Sequence, residues 1–320
     1  MSASRRPLFI VGCDRSGTTL LRLMITNNPQ FHILHETGFL HILKDRSDVY
    51  GSFTAPRERW YFIRDLQTHR ATSETYSFSA FGLTEQEAET ALAKAAPVDF
   101  TGAAGVLFEA SALKRGATRW GDKTPHYVLH VSWLAESYPD AQFLHIVRDG
   151  RDVASSIRRA GWEKSLRSAA QTWRTRAGGG HEAGSSLSEK RYREVQYESL
   201  VTSPEKTLRS LCKWLDLSYS SEMLNFHEHS DSHLPDAHED LYEKTHKPID
   251  PSRAQAWKNT LSSREIADIE EVASDLLSEF DYKLTNARVP LWLRGLRGLH
   301  RNTLSYTKSL VETLRRLGIA

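Results

Sequence analysis

Between positions 12 and 19 the chain reads Gly-Cys-Asp-Arg-Ser-Gly-Thr-Thr, directly after an apolar run at 8–11 and before a helical pattern at 18–27. A glycine-bounded turn at a strand-to-helix junction aims successive backbone N–H groups and a helix N-terminus at one point, which makes an anion cradle. Loops that hold nucleoside triphosphates carry lysine where this chain has Thr18. Arg15, inside the loop, can supply the missing cation. The spacing therefore points to a different phosphorylated ligand, although a plain strand–helix turn without a ligand would read the same way.

A second cation stands at the carboxyl end of another strand pattern, 143–147. Arg148 is followed eight residues on by Ser156, within the next predicted helix. Ligands of open α/β sheets bind beyond the carboxyl ends of strands. An arginine at a strand tip offers a bidentate fork, and a hydroxyl two turns into the helix can reach the same phosphate. Taken alone, Arg148-Asp149 also reads as an ordinary ion pair. Two phosphate sites on one sheet account for both segments together.

These residues resemble the two phosphate-binding motifs of sulfotransferases that use 3′-phosphoadenosine 5′-phosphosulfate. Arg15-Ser16-Gly17-Thr18-Thr19 is similar to the 5′-phosphosulfate loop, and Arg148…Ser156 to the 3′-phosphate site. The arginine that opens the loop is similar to the branch containing tyrosylprotein sulfotransferases and many bacterial sulfotransferases. His35-Glu36-Thr37 falls 21 residues after Arg15, where that branch carries its catalytic glutamate. Trp120-Gly121-Asp122-Lys123-Thr124-Pro125 resembles its W-x-D-K-x-P element. Gln196-Tyr197-Glu198-Ser199-Leu200 resembles its R-Y-E-x-L strand, whose tyrosine approaches the nucleotide. Lys247-Pro248…Trp257-Lys258 is loosely similar to a nucleotide-covering loop. The resemblance spans roughly residues 7–36, 119–160 and 193–217. In one place the chain departs from it: the arginine expected about twelve residues after Arg148 is Ala160, with Arg158 and Arg159 as neighbours.

The resemblance implies 3′-phosphoadenosine 5′-phosphosulfate as donor, adenosine 3′,5′-bisphosphate as product and a hydroxyl as acceptor. Such a transfer is an in-line displacement in which positioning and charge stabilisation do most of the work. One general base is wanted for the acceptor proton, and a cation for the leaving oxygen. Glu36 and Lys123 are expected in those roles, with Glu36 beside the phosphate loop if the first two strands are neighbours. Glu36 also reads as a surface carboxylate capping a turn, and Asp122-Lys123 as a surface ion pair. His35, His126 and His145 are rival bases, His145 being better explained as a packed strand histidine. No metal is expected: in His227-Glu228-His229…His233…His238, imidazoles two apart do not share a helix face. Two rival readings stay open, a kinase with a displaced lysine acting on a small molecule and a catalytically silent nucleotide-binding module.

The elements that must hold these residues alternate. Strand patterns at 8–11, Phe31–His35, 119–122, 143–147 and 193–197 are separated by helical ones at 18–27, 126–138, 149–159 and 204–214. Such alternation argues for an α/β fold, a parallel sheet of about five strands flanked by helices. Residues 40–118 lack strands and are expected to form a helical insertion that shapes the acceptor site; Thr84 and Glu87 there have capping-box spacing. The glycine-rich stretch 178–186 is expected to be a surface loop within one domain, 1–320. Residues 288–320 are basic and amphipathic from 299 to 317, which suits a membrane surface, a dimer partner or the domain itself.

Composition narrows the field further. With 42 Lys+Arg against 40 Asp+Glu among 320 residues, the net charge of +2 excludes a nucleic-acid binder that works by bulk electrostatics. At 39% hydrophobic and 26% charged, the chain has a core and is not wholly disordered. Two cysteines, Cys13 and Cys212, exclude a disulfide framework and fit a reducing compartment. No apolar run is long enough for a signal peptide or a membrane span, so a cytoplasmic enzyme with a small-molecule, carbohydrate or lipid-linked hydroxyl acceptor is expected.

Overall fold

A computed structural model describes residues 6–68, 78–228 and 246–285. Five parallel strands form one sheet in the order β2-β3-β1-β4-β5. They are β1 (Leu8–Gly12), β2 (Phe31–His35), β3 (Arg119–Lys123), β4 (Gln142–Val147) and β5 (Tyr192–Gln196). Every residue of β1, β3 and β4 is buried. This explains why β1 reads as an unbroken apolar run and β4 as one interrupted only by the buried His145 after Gln142: central strands of a parallel sheet are covered on both faces.

Alternate residues of β1 feed two cores. Phe9 stacks on Phe143 with ring centroids 5.4 Å apart and meets Trp120 edge-on, under the helices that join β2 to β3. Leu8 and Ile10 face the other layer, with Leu21 and Met24 of α1 (Thr18–Thr26) and Leu211 of the helix Pro204–Leu215. The connection from β2 to β3 holds α2 (Phe39–Leu43) and the helices Pro56–Thr68, Glu85–Ala95 and Phe100–Lys114. The Thr84–Glu87 capping box is formed in both directions. After β4 come α3 (Gly150–Arg159) and α4 (Leu166–Ser185), and α5 (Ser263–Glu279) packs against both through Trp173, Val153 and Leu276.

Three expectations require correction. Residues 178–186 do not form a surface loop, because α4 runs through to Ser185. Their glycines serve close approach: a Cβ on Gly180 would stand 2.4 Å from Val128, and one on Gly184 2.1 Å from the Tyr192 ring. Contact with the sheet offsets the poor helix propensity of glycine, about 1 kcal/mol each. Tyr197 does not end a strand; it opens the helix Tyr197–Thr202. Finally, β1 and β2 are not neighbours, since β3 lies between them and pairs with both. The amphipathic stretch at 299–317 and the histidines 229, 233 and 238 lie outside the described residues. Among the described residues, no helix is long and apolar enough to cross a membrane.

Candidate functional site

The loop after β1 takes its shape from two residues in left-handed conformations, Arg15 (φ 67°) and Gly17 (φ 98°). For Arg15 that conformation costs about 1–2 kcal/mol. At Gly17 a side chain has no room, because its Cβ would fall 2.5 Å from the Tyr197 ring. Gly17 is the N-cap of α1, so the first helical N–H groups open into the loop. Arg15 donates through Nε to the Ser156 hydroxyl at 3.2 Å and lies over the Trp162 ring at 5.6 Å. The Ser16 hydroxyl is buried and has no hydrogen-bond partner.

At the tip of β4, Arg148 ties three elements together. It donates to the Arg15 carbonyl at 3.3 Å and to the Arg253 carbonyl at 2.9 Å, and its guanidinium lies 4.3 Å above the Tyr197 ring. Its Nε is buried and unpartnered. Ser156 therefore meets the Arg15 side chain, while Arg148 meets the Arg15 backbone carbonyl. The rest of the segment is structural. Asp149 caps α3 and holds the Arg151 guanidinium at both oxygens, at 2.9 and 2.7 Å. Arg151 reaches Glu270 of α5 at 2.8 Å. The Trp257 indole N–H donates to Asp149 at 2.9 Å, and the Trp257 backbone to Asp152 at 2.8 Å. This buried network anchors the segment 246–260 over the site.

The ends of β2 and β3 bring Glu36 and Lys123 together. Glu36 is left-handed at φ 42°, and its carboxylate pairs with the Lys123 ammonium. That ammonium also donates to the Thr19 hydroxyl at 3.2 Å and to Nε2 of His35 at 3.2 Å. Burial pushes Lys123 down to about 8, and Glu36 opposes the shift. Burial, then Lys123 and Arg22, hold His35 well below the usual imidazole range, so it accepts as a neutral ring. Asp122 points the other way, as alternation on a strand demands. Its carboxyl accepts from Thr37 and, at 2.6 Å, from Thr124, whose hydroxyl accepts from the Gly38 N–H at 3.2 Å. Burial raises Asp122 to about 7. A surface Asp122-Lys123 pair is thus excluded: both are fully buried and have different partners.

A cavity of about 890 Å³ joins these parts. Arg15, Gly17, Thr18, Thr19, Glu36, Arg148, Ser156 and Tyr197 line it, while Ser16 and Lys123 lie just beneath the wall. Arg159, Trp162, Lys247 and Arg253 also line it. Of the two arginines beside Ala160, Arg159 lines the cavity, whereas Arg158 turns to Glu265 at 3.8 Å. Trp162 carried no recognisable spacing; only its position after α3 could have suggested it. The volume suits a ligand of nucleotide size. A cationic wall, loop amides and orphaned donors at Ser16 and Arg148 fit a phosphorylated nucleotide. Of the rival bases, His145 is fully buried against the Tyr192 hydroxyl at 2.6 Å, and His126 packs with His41 and His130 away from the cavity lining.

A family model described as the sulfotransferase family matches residues 7–221. The chain is 27% identical over 288 residues to a protein-tyrosine sulfotransferase of Drosophila melanogaster, covering 86% of this chain and 51% of that one. It is 25% identical over 324 residues to protein-tyrosine sulfotransferase A of Caenorhabditis elegans, covering 96% and 77%. The chain thus spans about half the length of the Drosophila relative. Among solved structures, the sulfotransferase domain from the Synechococcus PCC 7002 olefin synthase aligns with a TM-score of 0.59 at 25% identity, over 88% of this chain and 97% of that one. The sulfotransferase domain from the curacin biosynthetic pathway shares the fold, with a TM-score of 0.57 at 22% identity, over 88% and 100%.

Proposed function

The chain belongs to the sulfotransferase family, and from that premise we propose that it moves a sulfuryl group from 3′-phosphoadenosine 5′-phosphosulfate to a hydroxyl acceptor, with Glu36 as general base. The observation that carries this reading is the Glu36–Lys123–Thr19 chain beside a single cavity that Glu36, Thr19, Arg148 and Tyr197 line together.

In this reading the loop amides, Arg15, Thr18 and Thr19 bind the 5′ end of the donor. Arg148, Ser156 and Arg159 hold the 3′-phosphate, and Tyr197 supports Arg148 from below. Glu36 accepts the acceptor's proton at its carboxylate, a service worth roughly 10²–10⁴-fold. Lys123 holds that carboxylate and the Thr19 hydroxyl in register, and its charge favours the departing oxygen. We assign the helices between β2 and β3 to the acceptor side, beyond the cavity itself, whose lining holds no described residue between Glu36 and Pro125. The relatives named for protein tyrosine and those named for biosynthetic pathways divide over the acceptor. We favour a small-molecule or lipid-linked hydroxyl in the cytoplasm, and the two buried free thiols, Cys13 and Cys212, support a reducing setting.

Calorimetry tests the donor. Tight binding of adenosine 3′,5′-bisphosphate without magnesium is expected, and a preference for Mg-ATP would favour the kinase reading. Incubation of fractionated extract with radiolabelled donor then tests transfer. A protein that binds the bisphosphate but labels no fraction would be a silent module.

A further inference from the structure

Three imidazoles gather outside the cavity. His126 and His130 stand on the 3-10 turn Pro125–His130, and His41 reaches them from α2. Ring centroids lie 4.8 Å apart for His41–His126, 5.1 Å for His41–His130 and 5.6 Å for His126–His130. One nitrogen from each can be chosen so that all three fall within 4.8 Å of one another. From this geometry we infer that His41, His126 and His130 form a binding site for a borderline divalent transition-metal ion of the zinc class.

The chemistry of the donor set supports the assignment. Metal ligation needs neutral imidazole, and burial lowers all three pKa values, with His41 at about 4. Among the described residues none of the three bonds a carboxylate, the usual reason for histidines to gather. The His41 Nδ1 is sealed from solvent with no hydrogen bond of good geometry, and the Gly38 backbone exerts only the weakest of the influences on that ring. Zinc binds three imidazoles at about 2.0–2.1 Å and leaves a fourth position to water. Ring rotations and shifts on the order of 1 Å would bring the nitrogens to that distance. The opposing charge nearby is Lys44, whose ammonium is drawn off over the Trp133 ring at 5.5 Å. Hard cations are a poor match, because no oxygen ligand is offered.

The consequence is mechanical. His41 lies five residues after Glu36 and His126 three after Lys123, so a bound ion would staple α2 to the turn that follows β3. The site does not depend on the proposed sulfuryl transfer, and its test does not use activity.

Full-length protein, stripped with chelator, is titrated at pH 7 with Zn²⁺ by calorimetry and with Co²⁺ by visible absorption. One equivalent is expected, with the Co²⁺ bands of a tetrahedral nitrogen-rich site and a rise in melting temperature. His41→Gln and His130→Gln should each weaken binding at least about tenfold. Replacement of His229, His233 and His238 together by glutamine should leave binding unchanged. Far-UV circular dichroism of the metal-free variants separates lost binding from lost folding, and His126→Asn replaces any variant that fails to fold. Binding that survives the substitutions at His41, His126 and His130, or no binding by the parent at micromolar Zn²⁺, overturns the inference.

Discussion

The backbone N–H of Glu36 donates to the Lys123 carbonyl at 2.7 Å, and the two side chains pair as well. Two residues 87 apart in sequence are thereby locked together at the tips of adjacent strands. The double tie holds Glu36 in a left-handed conformation that an unsupported glutamate would leave.

Replacing Glu36 with glutamine keeps shape and most hydrogen bonding but removes the proton acceptor. Turnover should fall about 10²-fold or more, while donor affinity changes less than about threefold. Steady-state kinetics with any accepted hydroxyl compound, together with bisphosphate titration, check both. Near-parental turnover would transfer the base role elsewhere.

Lys123→Ala should act on both parameters, because its ammonium contacts Thr19 of the loop as well as Glu36. Lower turnover with weaker bisphosphate binding is expected. Unchanged binding would separate Lys123 from the donor.

Arg148→Ala should weaken binding of adenosine 3′,5′-bisphosphate by roughly 10²-fold, the loss of a charge-assisted fork. Adenosine 5′-phosphate, which lacks the 3′-phosphate, should lose far less. Equal losses in calorimetry would remove Arg148 from the 3′ site.

Asp122 predicts a pH dependence of stability. Burial raises its folded-state pKa to about 7, whereas in the unfolded chain it titrates near 3.9. Between those values the folded protein keeps a proton that the unfolded chain releases, so stability falls as pH rises from about 4 to 7. Asp122→Asn should flatten that slope in chemical denaturation. An unaltered slope would mean that Asp122 is ionised throughout.

Gly184→Ala should destabilise by about 1–3 kcal/mol through overpacking. The Tyr192 ring cannot easily swing aside, because its hydroxyl is fixed by the Gly180 carbonyl at 2.9 Å and by Glu194 at 2.8 Å. A melting temperature within a degree of the parent would show that α4 can lift.

The strands were legible wherever local pattern decides structure. Buried parallel strands write continuous apolar runs, and the loop and Arg148 declared themselves by residue type beside those runs. Strand order was not legible, since no local signal says that β3 slips between β1 and β2. Expecting Glu36 beside the loop through a β1–β2 pairing was therefore wrong in route; the contact runs through Lys123. The 178–186 glycines misled for a related reason: a glycine that permits helix–sheet contact looks the same in sequence as one that permits a turn. The Asp149–Arg151–Trp257 network was invisible because Trp257 and Glu270 lie over a hundred residues from Asp149 and Arg151, and Asp149 reads in sequence as a partner for Arg148.

The connection that starts after Glu36 and ends at Arg119 leaves from one strand and returns to its immediate neighbour. Its two ends are fixed by the β2–β3 ladder, whatever lies between them. Doubling the length of such an excursion costs only about 0.6 kcal/mol in closure entropy. The helices carried there can be lengthened, trimmed or exchanged in evolution as a cassette, with the Glu36–Lys123 clasp and the phosphate loop left in register. Grafting this segment between relatives would test the proposal that acceptor choice resides there, because such chimaeras keep the donor-binding residues unchanged.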